Sequence, residues 1–327
     1  MAYLRRAFRM RFTAMNKNLF YITFFLLTLI IFSHFMPNKE QKGVLKREIL
    51  STTVMIDSLV KEIVKNEFTC ELLMEGEIDP HSYQMKKGDK EKIQRAALIF
   101  GNGLSLEHNP SLLYQLQQQK TIFVGDEILK SHPELIISKE KEVDPHIWMD
   151  LNLMSYVVDE ITLSICQIDP ENQAKYIQNS QNLKVKMRAL DQKIMQLIGS
   201  IPDENRYLVS SHDAFNYFVR RYFKADKEER LFSMQGLSPE AEISLKRIGL
   251  VTSFIKKHNI SAIFYESNLP KDALNKVIEI CKGFNVQVVI CKEPLYGDTL
   301  GGMTYLEMME HNAEVIAKNL NKEKNNG

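Results

Sequence analysis

An Asp-Pro-His triplet occurs twice, at Asp79-Pro80-His81 and at Asp144-Pro145-His146, in a chain of 327 residues with only eight histidines and ten prolines. Proline fixes its own φ and pushes the residue before it out of helical space, so each triplet presents its histidine from a stiff, extended loop. A neutral imidazole held in this way suits a metal ion. Either histidine alone reads as a polar loop residue; the repetition shifts the balance towards a pair of ligands. Two further groups stand in comparable positions. Ser211-His212-Asp213 follows a strand-like run, and Asp298 lies in the glycine-rich stretch Leu295-Tyr296-Gly297-Asp298-Thr299-Leu300-Gly301-Gly302. His212 also reads as a helix N-terminal residue and Asp298 as a turn-former beside glycines. With the repeated triplet, His81, His146, His212 and Asp298 make three imidazoles and one carboxylate. That donor set suits Zn²⁺, Mn²⁺ or Fe²⁺ and has no thiolate to select a softer ion. Glu266 is open: it either orients His212 or substitutes as a ligand. His34, His108, His132, His258 and His311 sit in apolar, loop or helix contexts and read as non-ligands, and Trp148 reads as a packing residue.

These groups must be carried on strand ends. Up to about Asp169, short apolar runs alternate with amphipathic stretches, which predicts strands over 48–54, 68–74, 97–100 and 121–124. Helices are predicted over 55–65, from Gly88-Asp89 onward, and over 106–118 and 151–167. This alternation indicates βα units and a parallel sheet, in which ligands gather beyond the carboxyl ends of strands. A long helix follows. Asp169 can cap it and Pro170 fits its first turn. Tyr176, Leu183, Met187, Leu190, Ile194 and Leu197 then recur at helical spacing until Gly199 and Pro202. Some 29 residues at about 1.5 Å each give a rod of roughly 43 Å. A coiled-coil dimerisation helix competes with a strut between lobes; the strut is favoured because the pattern lasts at most about four heptads and is flanked by βα segments. Strands over 206–210, 262–265 and 286–290, with helices over 214–222, 240–258, 272–282 and 305–320, make the second half an expected copy of the first. The predicted fold is α/β, two βα lobes with parallel sheets joined by one long backbone helix. Its parts are a signal or anchor with linker (1–43), an N-terminal lobe (44–169), the helix (170–199) and a C-terminal lobe (200–327).

Lys and Arg number 42 against 41 Asp and Glu, a net charge of +1. That argues against a nucleic-acid partner and for a small neutral or cationic ligand. Arg5, Arg6, Arg9, Arg11 and Lys17 precede a mainly apolar run over 19–35, the layout of an export signal or a single inner-membrane anchor. A buried core helix is the competing reading. No small-x-small cleavage site follows, which favours an uncleaved anchor whose run is near the minimum span of about 17 residues. Cys281 and Cys291 close a helix and the next strand, roughly 20 Å apart along 285–291 against under about 7 Å for a bridge. Cys70 and Cys166 read as buried free thiols.

Over residues 44–320 the chain resembles the zinc- and manganese-binding (TroA-like or ZnuA-like) periplasmic receptors of bacterial ABC transporters. The resemblance rests on Ile78-Asp79-Pro80-His81-Ser82-Tyr83, on Leu98-Ile99-Phe100-Gly101-Asn102-Gly103-Leu104 with Leu106-Glu107, and on Asp144-Pro145-His146-Ile147-Trp148. It continues in Val209-Ser210-Ser211-His212-Asp213-Ala214-Phe215, Ile263-Phe264-Tyr265-Glu266-Ser267 and Leu295-Tyr296-Gly297-Asp298. It implies a metal buried between two lobes, held by His81, His146, His212 and Asp298, and delivered to a membrane permease by a periplasmic, non-enzymatic monomer. The chain lacks the His- and acid-rich loop of many zinc-specific members and the lipid-bearing cysteine of many Gram-positive ones, so a Gram-negative-like periplasm is expected. Two other functions compete. One is a zinc-dependent hydrolase or hydratase with a water opposite three histidines; the other is a membrane-tethered interaction protein that has lost metal binding.

Overall fold

The computed structural model describes residues 48–139, 142–224, 230–238 and 243–321. The basic N-terminus, the apolar run over 19–35 and His34 therefore lie outside the described residues, and the helix expected from 240 starts at Leu245, where the Ser244 hydroxyl caps it by accepting the backbone N–H of Arg247. No described helix is long and apolar enough to cross a membrane.

The first half is built on β1 (Glu48–Ser51), β2 (Thr69–Leu72), β3 (Ala96–Gly101) and β4 (Thr121–Phe123), all parallel, in the order β2-β1-β3-β4. Successive side chains of a strand point to opposite faces. Ile49, Leu98 and Phe100 accordingly face a cluster with Met55, Leu59, Val60 and Ile63 of α1 (Val54–Val64). Leu50 and Ile99 face the other way, onto Ile93 of α2 (Asp89–Arg95) and Leu112 and Leu116 of α3 (Pro110–Gln117). Both faces are covered, which is why the central strands read as unbroken apolar runs. The helix expected from Leu106 starts instead at Pro110, where Asn109 accepts hydrogen bonds from the backbone N–H of Ser111 and Leu112.

α4 (Val124–Ser131) and the antiparallel pair β5 (Ser138–Lys139) and β6 (Glu142–Val143) precede the second triplet and were not expected. Two-residue strands carry no readable period. α5 (Leu151–Ile168) follows, and then α6 (Gln173–Gly199), 27 residues or about 40 Å of helix. α6 begins later than the sequence indicates because Pro170–Asn172 forms a 3-10 turn. Asp169 is not its cap: Oδ2 accepts from Asn172 Nδ2 at 2.9 Å and from the Tyr176 hydroxyl at 2.6 Å. The apolar stripe is buried as expected up to Ile194, but Ile198 takes the last buried place and Leu197 only flanks it.

In the second half β7 (Leu208–Ser210) pairs in parallel with β8 (Leu231–Ser233), and β9 (Ala262–Ile263) with β10 (Val289–Ile290). A backbone hydrogen bond of 2.8 Å from Phe264 N to Val209 O links the two pairs. The resulting order, β8-β7-β9-β10, repeats that of the first sheet in shorter strands. α7 (Asn216–Tyr222), α8 (Leu245–His258), α9 (Asp272–Gly283) and α10 (Tyr305–Leu320) complete the half. Thr304 and Glu307 close a reciprocal capping box at the start of α10.

One apolar cluster runs from Ile49 and Val60 through Leu183, Met187 and Ile194 of α6 to Phe218, Tyr305 and Met309. The α6 stripe is thus consumed inside the fold, against α1, α5 and α10, and forms no coiled-coil seam. All four cysteines are free. Cys281 and Cys291 are buried, whereas Cys70 and Cys166 are only half-buried, a correction to the expectation for that pair.

Candidate metal centre

His81 lies in the loop after β2, His146 directly before the 3-10 turn Ile147–Met149, His212 two residues beyond β7, and Asp298 between β10 and α10. His81 is 6% exposed and the other three 2% or less. One donor atom from each lies within 4.8 Å of all the others. His146 Nε2 is 3.2 Å from His81 Nε2 and 3.3 Å from His212 Nε2. Asp298 Oδ1 is 3.5 Å from His146 Nε2 and 4.0 Å from His81 Nε2, and Asp298 Oδ2 is 3.2 Å from His212 Nε2. Four ligands at about 2.1 Å from one ion in tetrahedral array stand about 3.4 Å from each other. The observed separations bracket that edge.

The repeated triplet is one physical device used twice. Asp79 Oδ1 accepts the His81 backbone N–H at 2.8 Å, and Asp144 Oδ1 accepts that of His146 at 2.9 Å, so each Asp closes a tight turn that aims the following histidine. Asp144 does more. Its Oδ1 is 2.7 Å from His146 Nδ1, while Oδ2 accepts from Asn216 Nδ2 and the backbone oxygen from the Tyr217 hydroxyl, each at 2.9 Å. Glu266 stands behind His212 in the same relation: Oε2 is 2.8 Å from Nδ1 and Oε1 accepts the His212 backbone N–H at 3.0 Å. Asp144 is hydrogen-bonded to His146 Nδ1 and Glu266 lies against His212 Nδ1, and both rings turn Nε2 into the cluster. Glu266 is therefore an orienting group, outside the four-residue set.

Asp298 differs from the histidines. Neither of its oxygens has a hydrogen-bond partner, although both are buried. A buried carboxylate facing three ring nitrogens is costly unless positive charge, from a protonated imidazole or a bound cation, sits beside it. Burial pushes the His81 imidazole down to about 3. At His146 burial also opposes the charged form, but the carboxylates of Asp144 and Asp298 outweigh it and raise the ring to about 9. His212 rises in the same way, against burial, between Asp298 and Glu266; Asp298 is held well below the usual carboxylate range, also against burial, chiefly by His212 and His146. The pocket thus favours the carboxylate with positive charge beside it.

Several residues of the motifs that carry the resemblance support the site, although the sequence alone assigns them no such role. Trp148 packs 5.1 Å from the His146 ring, and its indole N–H donates to Gly297 O at 2.6 Å. A Cβ on Gly297 would come 2.1 Å from Glu266 Oε2 and 2.9 Å from His212 Cε1, so only glycine lets the Asp298 loop pass there. Asn102 Nδ2 donates to Pro145 O at 3.1 Å, and the buried Glu107 carboxylate accepts the backbone N–H of Asn102 and Gly103. Outside the cluster, His258 stacks on Tyr207 and His311 Nε2 bonds Pro294 O. His108 and His132 also stand apart from it.

Residues 49–319 match the family described as zinc-uptake complex component A, periplasmic, and the chain belongs to that family. Its class is that of metal-binding, extracytoplasmic solute-binding proteins of ABC transporters, which are not enzymes. Among particular relatives, the metal-binding protein YtgA of Chlamydia pneumoniae is 38% identical over 280 residues, covering 83% of this chain and 85% of that protein. The crystal structure of Fe(III)-bound YtgA from Chlamydia trachomatis has a TM-score of 0.80 at 34% identity, over 84% of this chain and 98% of that one. The periplasmic zinc-binding protein TroA of Treponema pallidum has a TM-score of 0.78 at 30% identity, over 85% and 100% of the two chains. The two-lobe fold joined by a long helix is the fold of these neighbours, and the family assignment sets the hydrolase alternative aside.

Proposed function

We propose that His81, His146, His212 and Asp298 hold one transition-metal ion as transport cargo, His81 and His146 from the lobe over 44–169, His212 and Asp298 from the lobe over 200–327. The observation that carries this is the unpartnered Asp298 carboxylate, buried against three ring nitrogens. Zn²⁺, Mn²⁺ and Fe²⁺ all accept such donors; intrinsic affinity ranks zinc above the other two, and cellular loading follows availability. Neutral imidazoles and one carboxylate leave a bound dication with a net charge near +1, which the protein hands to the permease of an ABC transporter. The basic residues before the apolar run over 19–35, with no small-x-small site after it, support an uncleaved anchor that keeps the receptor at the inner membrane. The internal use of the α6 stripe supports a monomer.

Equilibrium dialysis of the purified chain against Zn²⁺, Mn²⁺ and Fe²⁺ tests the reading. One ion per chain is expected, with uptake lost in His81→Ala and Asp298→Ala. Uptake that survives both substitutions, or no uptake by the unaltered chain, overturns it; the latter outcome would leave a tethered interaction protein as the better account.

A further inference from the structure

Three of the four clustered side chains sit on turns or beside carboxylates that fix them, but Asp298 has no hydrogen-bond partner of its own. Its position must come from its loop. The near side of that loop is tied down by Trp148 at Gly297 and by Asn312, whose amide bonds both backbone groups of Tyr296. The far side is held by a bond of 3.3 Å between the Ser267 and Thr299 hydroxyls and by one exposed residue from the other half of the molecule. Glu77, four residues before His81, accepts from the Thr299 hydroxyl at 2.5 Å and the Ser267 hydroxyl at 2.9 Å through Oε2. Through Oε1 it accepts the backbone N–H of Gly301 at 3.1 Å. Thr299 directly follows Asp298, and Ser267 directly follows Glu266. A single carboxylate on the His81 loop therefore grips the neighbours of the acid and of the group that orients His212. Gly76 at φ 96° and Gly301 at φ 59° give both loops the backbone turns that this approach uses.

We propose that Glu77 is a latch: a positioning residue that holds the Asp298 loop closed and sets the rate at which the cargo leaves. The proposal rests on the metal reading of the site above. Glu77, Ser267 and Gly301 are exposed, so the bonds that Glu77 accepts can be exchanged for water or for groups on a docking partner, while Thr299 and Leu300 between them are buried. Release then needs the far side of the loop to lift, with Leu300 leaving its apolar packing, taking Asp298 away while the three imidazoles stay in place.

The test has a metal-free arm and a metal-loaded arm, on the unaltered chain, Glu77→Gln and Glu77→Ala. In the metal-free protein, amide hydrogen exchange at Gly301 should accelerate in Glu77→Ala; an unchanged rate overturns the latch whether or not the site binds metal. In the zinc-loaded protein, release into excess chelator is followed by the fluorescence of Trp148, the only tryptophan. Charge-assisted hydrogen bonds at this strength predict release faster by about tenfold or more in Glu77→Ala, a smaller effect in Glu77→Gln, and an association rate within about twofold of the unaltered chain. Unchanged release, or equal slowing of association and loss of thermal stability in both variants, overturns the gating role. Failure of the unaltered chain to take up zinc sinks the site reading instead, and the Gly301 exchange result still decides the latch.

Discussion

At the residue scale the chemistry turns on how the imidazoles are held. Carboxylates behind metal-binding histidines fix the tautomer and raise the basicity of the ligand, and losing one typically lowers metal affinity about 10–100-fold. Glu266→Gln is expected to weaken metal binding by that factor in calorimetry while the chain stays folded, since the amide keeps an acceptor for the His212 backbone N–H. Binding at His146 has a further consequence. Its ring, raised to about 9, carries a proton in the metal-free chain at neutral pH, and a coordinating imidazole must give that proton up. Metal uptake at about pH 7.5 should therefore release protons, and apparent affinity should rise with pH up to about 9. Titrations in two buffers of different ionisation enthalpy measure the release directly; none detected would contradict the charge state assigned to His146.

At the element scale the site depends on segments that are distant in sequence but share a few points of attachment. Arg221 of α7 grips Asp191 of α6 through two hydrogen bonds of 2.6 Å and lies 3.3 Å from Asp150 Oδ1. Asp150 caps α5 by accepting from the backbone N–H of Asn152 and Leu153. One guanidinium thus joins the helix that follows His212, the helix that follows His146 and the connecting strut. Removing one partner of a largely buried ion pair leaves the others uncompensated, so Arg221→Met should cost about 3 kcal/mol, read as a lower urea midpoint. Gly297 is the steric counterpart. In Gly297→Ala the new methyl must displace Glu266 or the loop, and overpacking of this kind costs about 1–3 kcal/mol. Metal affinity should fall with it, because the same movement disturbs both His212 and Asp298.

At the scale of the whole molecule the question is how much moves when cargo binds. The apolar cluster is continuous across both halves and α6 runs through it, so a wide opening would expose core surface at about 25 cal/mol per Å². Motion confined to loops is the low-cost alternative. Small-angle scattering should give the same radius of gyration with and without metal; a clear expansion on metal removal would sink this view. The ion should still stabilise the fold by mass action. At a free concentration about 100 times Kd the gain is about 2.7 kcal/mol, or about 5 °C in melting temperature for a domain of this size. A chelator should reverse it.

Much of this was written locally. The two Asp-Pro-His turns, the alternation of strands and helices, the apolar stripe of α6 and the capping of α10 each depend on residues within a few positions of one another. Backbone sterics and periodicity act at that range, and they determined the α/β class, the long helix and the kinds of donor atom available. The tertiary structure alone decided that β5, β6 and β8 exist as strands too short for a period. It also decided that Glu266 stands behind His212 instead of beside the other donors, and that Trp148, Gly297 and Glu77 converge on the Asp298 loop. Those outcomes arise where helices and sheets pack and bring together atoms from distant parts of the chain. Local propensity has no term for that convergence.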